Sequence, residues 1–460
     1  MKNYVWLLSI IFFTATCSSQ PLETENIFEG KWNLLFTHDD VGSVRTYMNV
    51  EISQNTFISY TRKGADKDIF GGWTSLLSRV FTNTMKEGTL LRIENGVWEK
   101  VSDTIKVKGV FTSPIGNYYL NGIVIDKRLE AELTNKTGKK IGFISGDKRH
   151  KNYPLEDYTA LFEKTIEMTE KYIYDAKLVK SKEWKVFKSR VLKISPKIQD
   201  DLEAVFAFYY YAGKLPFSHY GLLRNTEDVD YTVPASQKKM KLLEKNDHTV
   251  YWELTSFGGS ATEIDSTFEI IKNKGYKNLI VDLRNNTGGS IEAGLAFVNQ
   301  LAEEPYYGGV FLTRKYFDNH KQLPDIKNYS SFLNFSSSNY DLLLKGIHKN
   351  GGICLKADPV KNRYKGKVFI LVSHKTASTS EPVVYGLKHN KRAVIVGEKT
   401  AGAMLNSEFF DLGNQYQLMI PTADYYTVDG FRIDQNGVKP DIEVNQSEAL
   451  EYVLNSLIQQ

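Results

Sequence analysis

The stretch KVFILVSHKTASTSEPVVYGLKHNKRAVIVGEKTAGAM, Lys367 to Met404, reads as strand, turn, helix, strand. Val368 to Val372 is a β-branched and aromatic run suited to a buried strand, and polar and small residues break it at once. From Glu381 to Leu387 apolar residues recur at helical spacing, with Pro382 in the first turn, where a missing N–H does no harm. Ser378 therefore stands where a strand hands over to a helix N-terminus. Unpaired N–H groups and the positive end of a helix dipole can hold the negative oxygen of a tetrahedral intermediate, so a nucleophile fits there. A plain cap from Ser378 or Thr376 fits too, and is the commoner use of Ser and Thr at a helix start.

Outward from this stretch the same alternation continues. Val250 to Thr255 reads as a strand, Glu263 to Lys274 as a helix, Leu279 to Leu283 as a strand and Ile291 to Leu301 as a helix, which predicts a parallel sheet with helices on its faces. Between the second strand and its helix lies Arg284-Asn-Asn-Thr-Gly-Gly289. Its glycines either let backbone approach a ligand closely or only make a turn. The polar, aromatic and Ser/Asn-rich segment 305–364 reads as a surface insertion near the cleft. Phe409 to Val444 reads as β-hairpins ending in Asp434-Gln-Asn-Gly-Val-Lys-Pro-Asp441, with Asp441 turning the next strand. Ser447 is expected to cap a last helix presenting Leu450, Val453, Leu454 and Leu457.

The N-terminal half reads differently. With 460 residues, 42% hydrophobic and 24% charged, the chain should form two or three domains with large cores. A net charge of +4, with Lys and Arg read as spread among acids, argues against a nucleic-acid partner. Residues 1–16 hold one Lys, an apolar stretch from Val5 to Phe13 and then small residues, which is a secretory signal too short to span a bilayer. Residues 17–27 read as a linker. Within 28–150, eight short alternating runs separated by Gly, Asn, Asp and Lys turns predict an antiparallel barrel or sandwich. His38, Asp39 and Asp40 read as a solvated loop, since no second ligand set stands at metal-site spacing; no metal or organic cofactor is expected. Over 154–225, Tyr158 to Tyr211 predicts three helices, the third capped by Ser195-Pro196. Ser218-His219 follows, and a lone His in such an aromatic setting is ordinarily structural.

Thr376-Ala-Ser-Thr-Ser-Glu381, followed by Arg392-Ala-Val-Ile-Val-Gly-Glu398, Thr400-Ala-Gly402 and Gly437-Val-Lys-Pro-Asp-Ile-Glu-Val444, resembles the tail-specific (C-terminal-processing) serine protease family. Asn278 to Gly289 resembles the same family's upstream signature, and the motifs stand in order in the C-terminal half only. The resemblance implies an α/β crotonase-like (spiral) core at 249–460 and a serine peptidase acting on peptides or unfolded proteins through an acyl-enzyme. Ser378 would be its nucleophile. Ser218 and His219 resemble the Ser-His pair of the tricorn-core branch, in which the His is the general base. Asp434 fills that branch's acid position with Asp where Glu is usual, so its reach to the site is shortened. The implied oxyanion donors are the N–H of Gly288 or Gly289 and that of Thr379.

Bacterial processing proteases carry a Lys base where this chain has Ala403. Lys399 and Lys375 read as solvated loop charges, and His374 lies too near Ser378 in sequence to reach Oγ without backtracking. His219 is thus the base of choice, as imidazole can accept and return a proton near neutral pH. No room exists for a PDZ domain between His219 and Thr249. The same fold resembles the repeats of interphotoreceptor retinoid-binding protein, so an inactive ligand- or peptide-binding lipoprotein is the alternative that Asp434 and Ala403 raise. Gly30-Lys-Trp32 resembles the opening of lipocalin-like domains. Thr14-Ala-Thr-Cys17 resembles a bacterial lipobox, with Thr14 where Leu is usual. That implies export, a lipid on Cys17, and a membrane-anchored lipoprotein at the outer membrane facing the periplasm or the cell surface. Cys354 is the other cysteine, which leaves no intrachain disulfide.

Overall fold

Alternating residues need one face buried, and the eight N-terminal runs meet that need by closing on themselves. In the computed structural model, which describes residues 28–38, 42–71, 85–113, 116–148, 156–224, 240–336 and 346–458, they form β1 (Gly30–His38), β2 (Gly42–Ser53), β3 (Thr56–Tyr60), β4 (Arg92–Val101), β5 (Thr104–Ser113), β6 (Gly116–Ile125), β7 (Arg128–Thr134) and β8 (Lys140–Lys148). The order is β1-β8-β7-β6-β5-β4-β3-β2, with β2 paired back to β1, so the sheet is a closed barrel without a free edge. Trp32, Phe36, Val107, Phe111 and Leu133 point inward and are buried, while Lys106, Lys108, Glu130 and Glu132 on the alternate positions are exposed. Phe36 stacks on Phe111 at 5.9 Å, so aromatic side chains fill the interior. The signal stretch, Cys17, Asp39 and Asp40 lie outside the described residues.

Contacts divide the chain into two compact units, the second comprising 155–460 together with the short segment 40–44. Residues 155–460 begin with three helices, α1 (Tyr158–Tyr172), α2 (Lys182–Ile194) and α3 (Asp201–Ala212). Ser195-Pro196 does not cap α3. Those residues form a one-turn 3-10 segment, Ile198 then turns extended at ψ 132°, and the Asp200 side chain caps α3 through the Glu203 N–H. The cations are also less evenly spread than their overall balance with acids suggests. Lys182, Lys185, Arg190 and Lys193 share one exposed face of α2 around Val186.

Two sheets follow. β9 (Gly221–Arg224), β13 (Tyr306–Thr313), β14 (Leu333–Phe335), β15 (Gly352–Ala357), β18 (Leu405–Gly413) and β19 (Tyr416–Thr427) belong to one. The other has the order β10 (Met240–Asn246), β11 (Thr249–Leu254), β12 (Asn278–Asp282), β16 (Lys367–Val372), β17 (Val394–Gly397), β20 (Ile442–Glu443). Every pairing in it beyond β10–β11 is parallel, as the βαβα pattern predicts. Helices α4 (Ala261–Asn273), α5 (Ile291–Asn299) and α6 (Ser380–His389) share one core with both sheets, in which Phe268 and Phe297 of the helices meet Trp252, Ile353, Ile370 and Tyr425 of the strands. The opposite face of the parallel sheet packs Tyr251, Ile280 and Phe369 against the C-terminal helix.

The segment 305–364 is therefore not a surface insertion throughout. β13 and β15 bury Val310, Phe311, Leu312, Ile353 and Cys354 completely. Its polar composition belongs to the connection between them, whereas the strands themselves are held by pairing to each other and of β13 to β19. Ser447 likewise does not cap the last helix, because its Oγ donates to Asn445 Oδ1 and the helix starts at Ala449.

Candidate active site

Neither Ser378 nor Thr376 caps α6. Thr376 Oγ1 donates to Leu283 O at 2.8 Å and accepts the Ser373 N–H at 3.0 Å, which fastens the turn to β16 and to the end of β12. Ser378 through Glu381 has the Ser-x-x-Glu spacing of a capping box, and only its acidic half is used. Glu381 reaches back to the Ser378 N–H at 3.2 Å, while the N-cap position, Thr379, has no side-chain cap bond. The Ser378 hydroxyl is thereby left for another partner. Ser378 takes φ +54°, a left-handed conformation uncommon for a residue with a side chain and frequent at functional sites.

That partner is His219, whose Nε2 lies 3.3 Å from Ser378 Oγ. His219 sits on the link from α3 to β9, also at φ +54°, and β9 pairs with β19. Its Nδ1 lies 2.7 Å from Ser218 Oγ, and Ser218 Oγ lies 2.5 Å from Asp434 Oδ1. Ser218 Oγ donates its hydrogen bond to Asp434 Oδ1 and therefore accepts from Nδ1–H. This fixes the tautomer and turns the bare Nε2 lone pair toward Ser378. Burial pushes the imidazole pKa below its ordinary value and the Asp434 charge partly opposes that, which favours the neutral ring.

Asp434 is fully buried, and its second oxygen receives Arg432 Nη2 at 3.0 Å. Arg432 also donates to Asp424 at 2.8 Å and to the Tyr174 hydroxyl at 2.9 Å, which holds the carboxylate from behind. Ser218 bridges the Asp434 carboxylate and the imidazole.

Glu381 is buried, and no cation pairs with it among the described residues. Its carboxylate accepts from Thr400 Oγ1 (2.6 Å), Gly402 N (2.7 Å) and Ala403 N (2.8 Å) as well as from Ser378 N. Burial raises its pKa above the ordinary carboxylate value, and these four donors offset that only in part. Ala403 thus contributes backbone where a Lys base was sought. Lys375 and Lys399 are exposed, and His374 turns away to Glu398 Oε2 at 3.2 Å.

The glycine pair needs one correction. The Gly288 N–H donates to Asn286 Oδ1 at 2.9 Å, an Asx turn that withdraws it from the site. Gly289 N–H and Thr379 N–H have no protein acceptor among the described residues. Thr379 Oγ1 donates to Gly289 O at 2.7 Å and couples the two segments that carry them. Asn286, missed in the sequence, also binds Leu254 O through Nδ2 and accepts Ser380 Oγ at 2.9 Å. The Asn-x-Gly spacing was the signal that could have revealed it.

A Cβ at Gly288 would lie 2.5 Å from Ser378 Cβ, and its φ of +104° already disfavours any side chain. Gly288→Ala is expected to displace Ser378 by a good fraction of an ångström and to cost about 10²-fold in turnover. Measured turnover within threefold of the parent would show the contact to be soft.

Residues 248–444 match peptidase family S41. A carboxyl-terminal-processing protease of Picosynechococcus sp. is 27% identical over 216 residues, 46% of this chain and 43% of the relative. The carboxy-terminal processing protease of Bacillus subtilis is 24% identical over 216 residues, 46% and 38% of the two chains. The chain therefore spans well under two thirds of these relatives' length. Among solved structures, a lipoprotein from Streptococcus agalactiae aligns with TM-score 0.46 and 17% identity over 67% of this chain and 99% of that one. The tricorn protease aligns with TM-score 0.45 and 10% identity over 94% of this chain and 55% of that one.

Proposed function

Residues 248–444 make this chain a member of peptidase family S41, and from that premise we propose that it is a serine peptidase hydrolysing peptides or unfolded proteins through an acyl-enzyme. The observation that carries the reading is the unbroken line Ser378, His219, Ser218, Asp434, with contacts of 3.3, 2.7 and 2.5 Å. Ser378 Oγ attacks the scissile carbonyl as His219 Nε2 takes its proton. Ser218 and Asp434 orient the ring and stabilise the imidazolium, which then protonates the leaving amine. Gly289 N–H and Thr379 N–H receive the oxyanion. Water, deprotonated by the same imidazole, releases the acyl group. A relay this closely spaced around a hydroxyl freed from capping favours catalysis over a ligand-holding relic. The two sheets with helices packed between them support a crotonase-like spiral core.

A fluorophosphonate probe followed by peptide mapping tests the reading. Label on Ser378, abolished by prior treatment with a serine-reactive inhibitor, is expected; an unlabelled Ser378 in folded protein would sink it. We further propose export and membrane attachment through Cys17, on the strength of the apolar leader and the small residues before it. The mature protein should start at Cys17 and sediment with membranes, and Cys17→Ser should move it to the soluble fraction. A soluble parent protein with a different N-terminus would refute attachment.

A further inference from the structure

Between Lys177 and Lys197 the chain carries eight cations and one acid, a balance of +7 in a protein whose whole sequence carries +4. The rest of the sequence is net acidic. α2 is the middle of this segment, and its outward side collects the charge. Lys182, Lys185, Arg190 and Lys193 recur there at helical spacing, opposite the buried Trp184, Phe187, Val191 and Ile194. None of the four pairs with an acid among the described residues, whereas Lys188, which lies off this side, is held by Glu170 at 2.8 Å. Glu183 at the flank is the one acid of the segment, and Val186 at the centre is 45% exposed. Lys182 with Lys185, and Arg190 with Lys193, stand three apart, a like-charge spacing that weakens a helix unless an external anion answers it.

The helix presents this face over about 20 Å. Every residue lining it comes from α2, so it offers no groove between elements for a peptide to enter. No aromatic ring stands among them for a nucleic-acid base to stack on. What the face fits is an extended layer of negative charge, with Lys and Arg stems lying along Val186 and their heads among phosphates. We propose that this face docks the protein on an anionic lipid surface. The choice of lipid as partner rests on the export and attachment through Cys17 proposed above. A tether there keeps the chain at high effective concentration beside headgroups, so a modest surface affinity suffices.

The test uses protein made from Ser18 onward, which keeps both compact units and carries no acyl chain. It should sediment with vesicles of phosphatidylcholine and phosphatidylglycerol in equal parts and stay in solution with phosphatidylcholine alone. Salt at about 1 M, where the screening length shrinks to about 3 Å, should release it. Each cation near the surface is worth about fivefold in partition, so Gln at Lys182, Lys185, Arg190 and Lys193 together should lower the partition coefficient by about 10²-fold or more. Gln at the exposed Lys106, Lys108, Lys136 and Lys361, an equal loss of charge, should lower it by less than about threefold. Both variants should keep the parent's melting temperature. Equal losses in the two, equal binding to both kinds of vesicle, or polyglutamate or duplex DNA bound through α2 in place of vesicles would overturn the proposal. The attachment reading is judged apart. A cell-derived parent found soluble with another N-terminus refutes attachment and leaves the vesicle result standing. A parent that sediments with cell membranes, while its form from Ser18 ignores anionic vesicles, refutes the α2 face alone.

Discussion

Ser378→Ala is expected to lower peptide turnover by about 10⁴- to 10⁶-fold, the loss that follows when the nucleophile of such a unit is removed. Stability should barely move. The Ser378 side chain makes one long contact, to His219 at 3.3 Å, and both the φ of +54° and the Cβ are common to serine and alanine. The backbone bonds from Ser378 N to Ala403 O and to Glu381 survive the change. Turnover and thermal melting of the purified variant separate the two effects. Activity retained within tenfold, with an unchanged melting temperature, would remove Ser378 from the chemistry.

His219→Ala should cost nearly as much, and the double variant with Ser378→Ala little more, because the two act on one proton. The pH dependence carries an independent sign. The base works only as neutral imidazole, so kcat/KM should be flat near neutrality and fall as pH drops through the His219 pKa. Burial lowers that pKa, which puts the falling limb below about 6.5, the value for an unperturbed histidine side chain. The Asp434 charge raises the same pKa, so Asp434→Asn should move the limb to still lower pH while reducing the plateau. A limb displaced upward in that variant would contradict the relay drawn here.

The barrel was readable because each of its strands buries one face, which writes the period of two into the sequence. The parallel sheet was readable from strands and helices in alternation. β13 was not, because Tyr306-Tyr-Gly-Gly309 has the look of a loop and is a strand only through its pairing to β15 and β19. At the site, Ser378, His219, Ser218 and Asp434 were named through a resemblance, since no local pattern joins residues so distant in the chain. Arg432 was missed for a related reason. A single arginine in a hairpin says nothing until folding lays it against Asp434, Asp424 and Tyr174. Choosing between Gly288 and Gly289 needed the backbone geometry, in which an Asx turn occupies one N–H and spares the other.

The bond from Ser218 to Asp434 joins residues 216 apart in sequence, and that from His219 to Ser378 joins residues 159 apart. Asp434 follows Ser218 by 216 residues in a chain that is made from its N-terminal side. A ribosome-bound chain therefore holds Ser378 and His219 before it holds the Asp434 carboxylate bonded to Ser218, and the relay closes only once Asp434 has emerged and both sheets have formed. Contacts of such separation are among the last that a folding chain makes. On the proposed reading, an unfinished or unfolded copy lacks the relay during the interval in which its neighbours are themselves still unfolded.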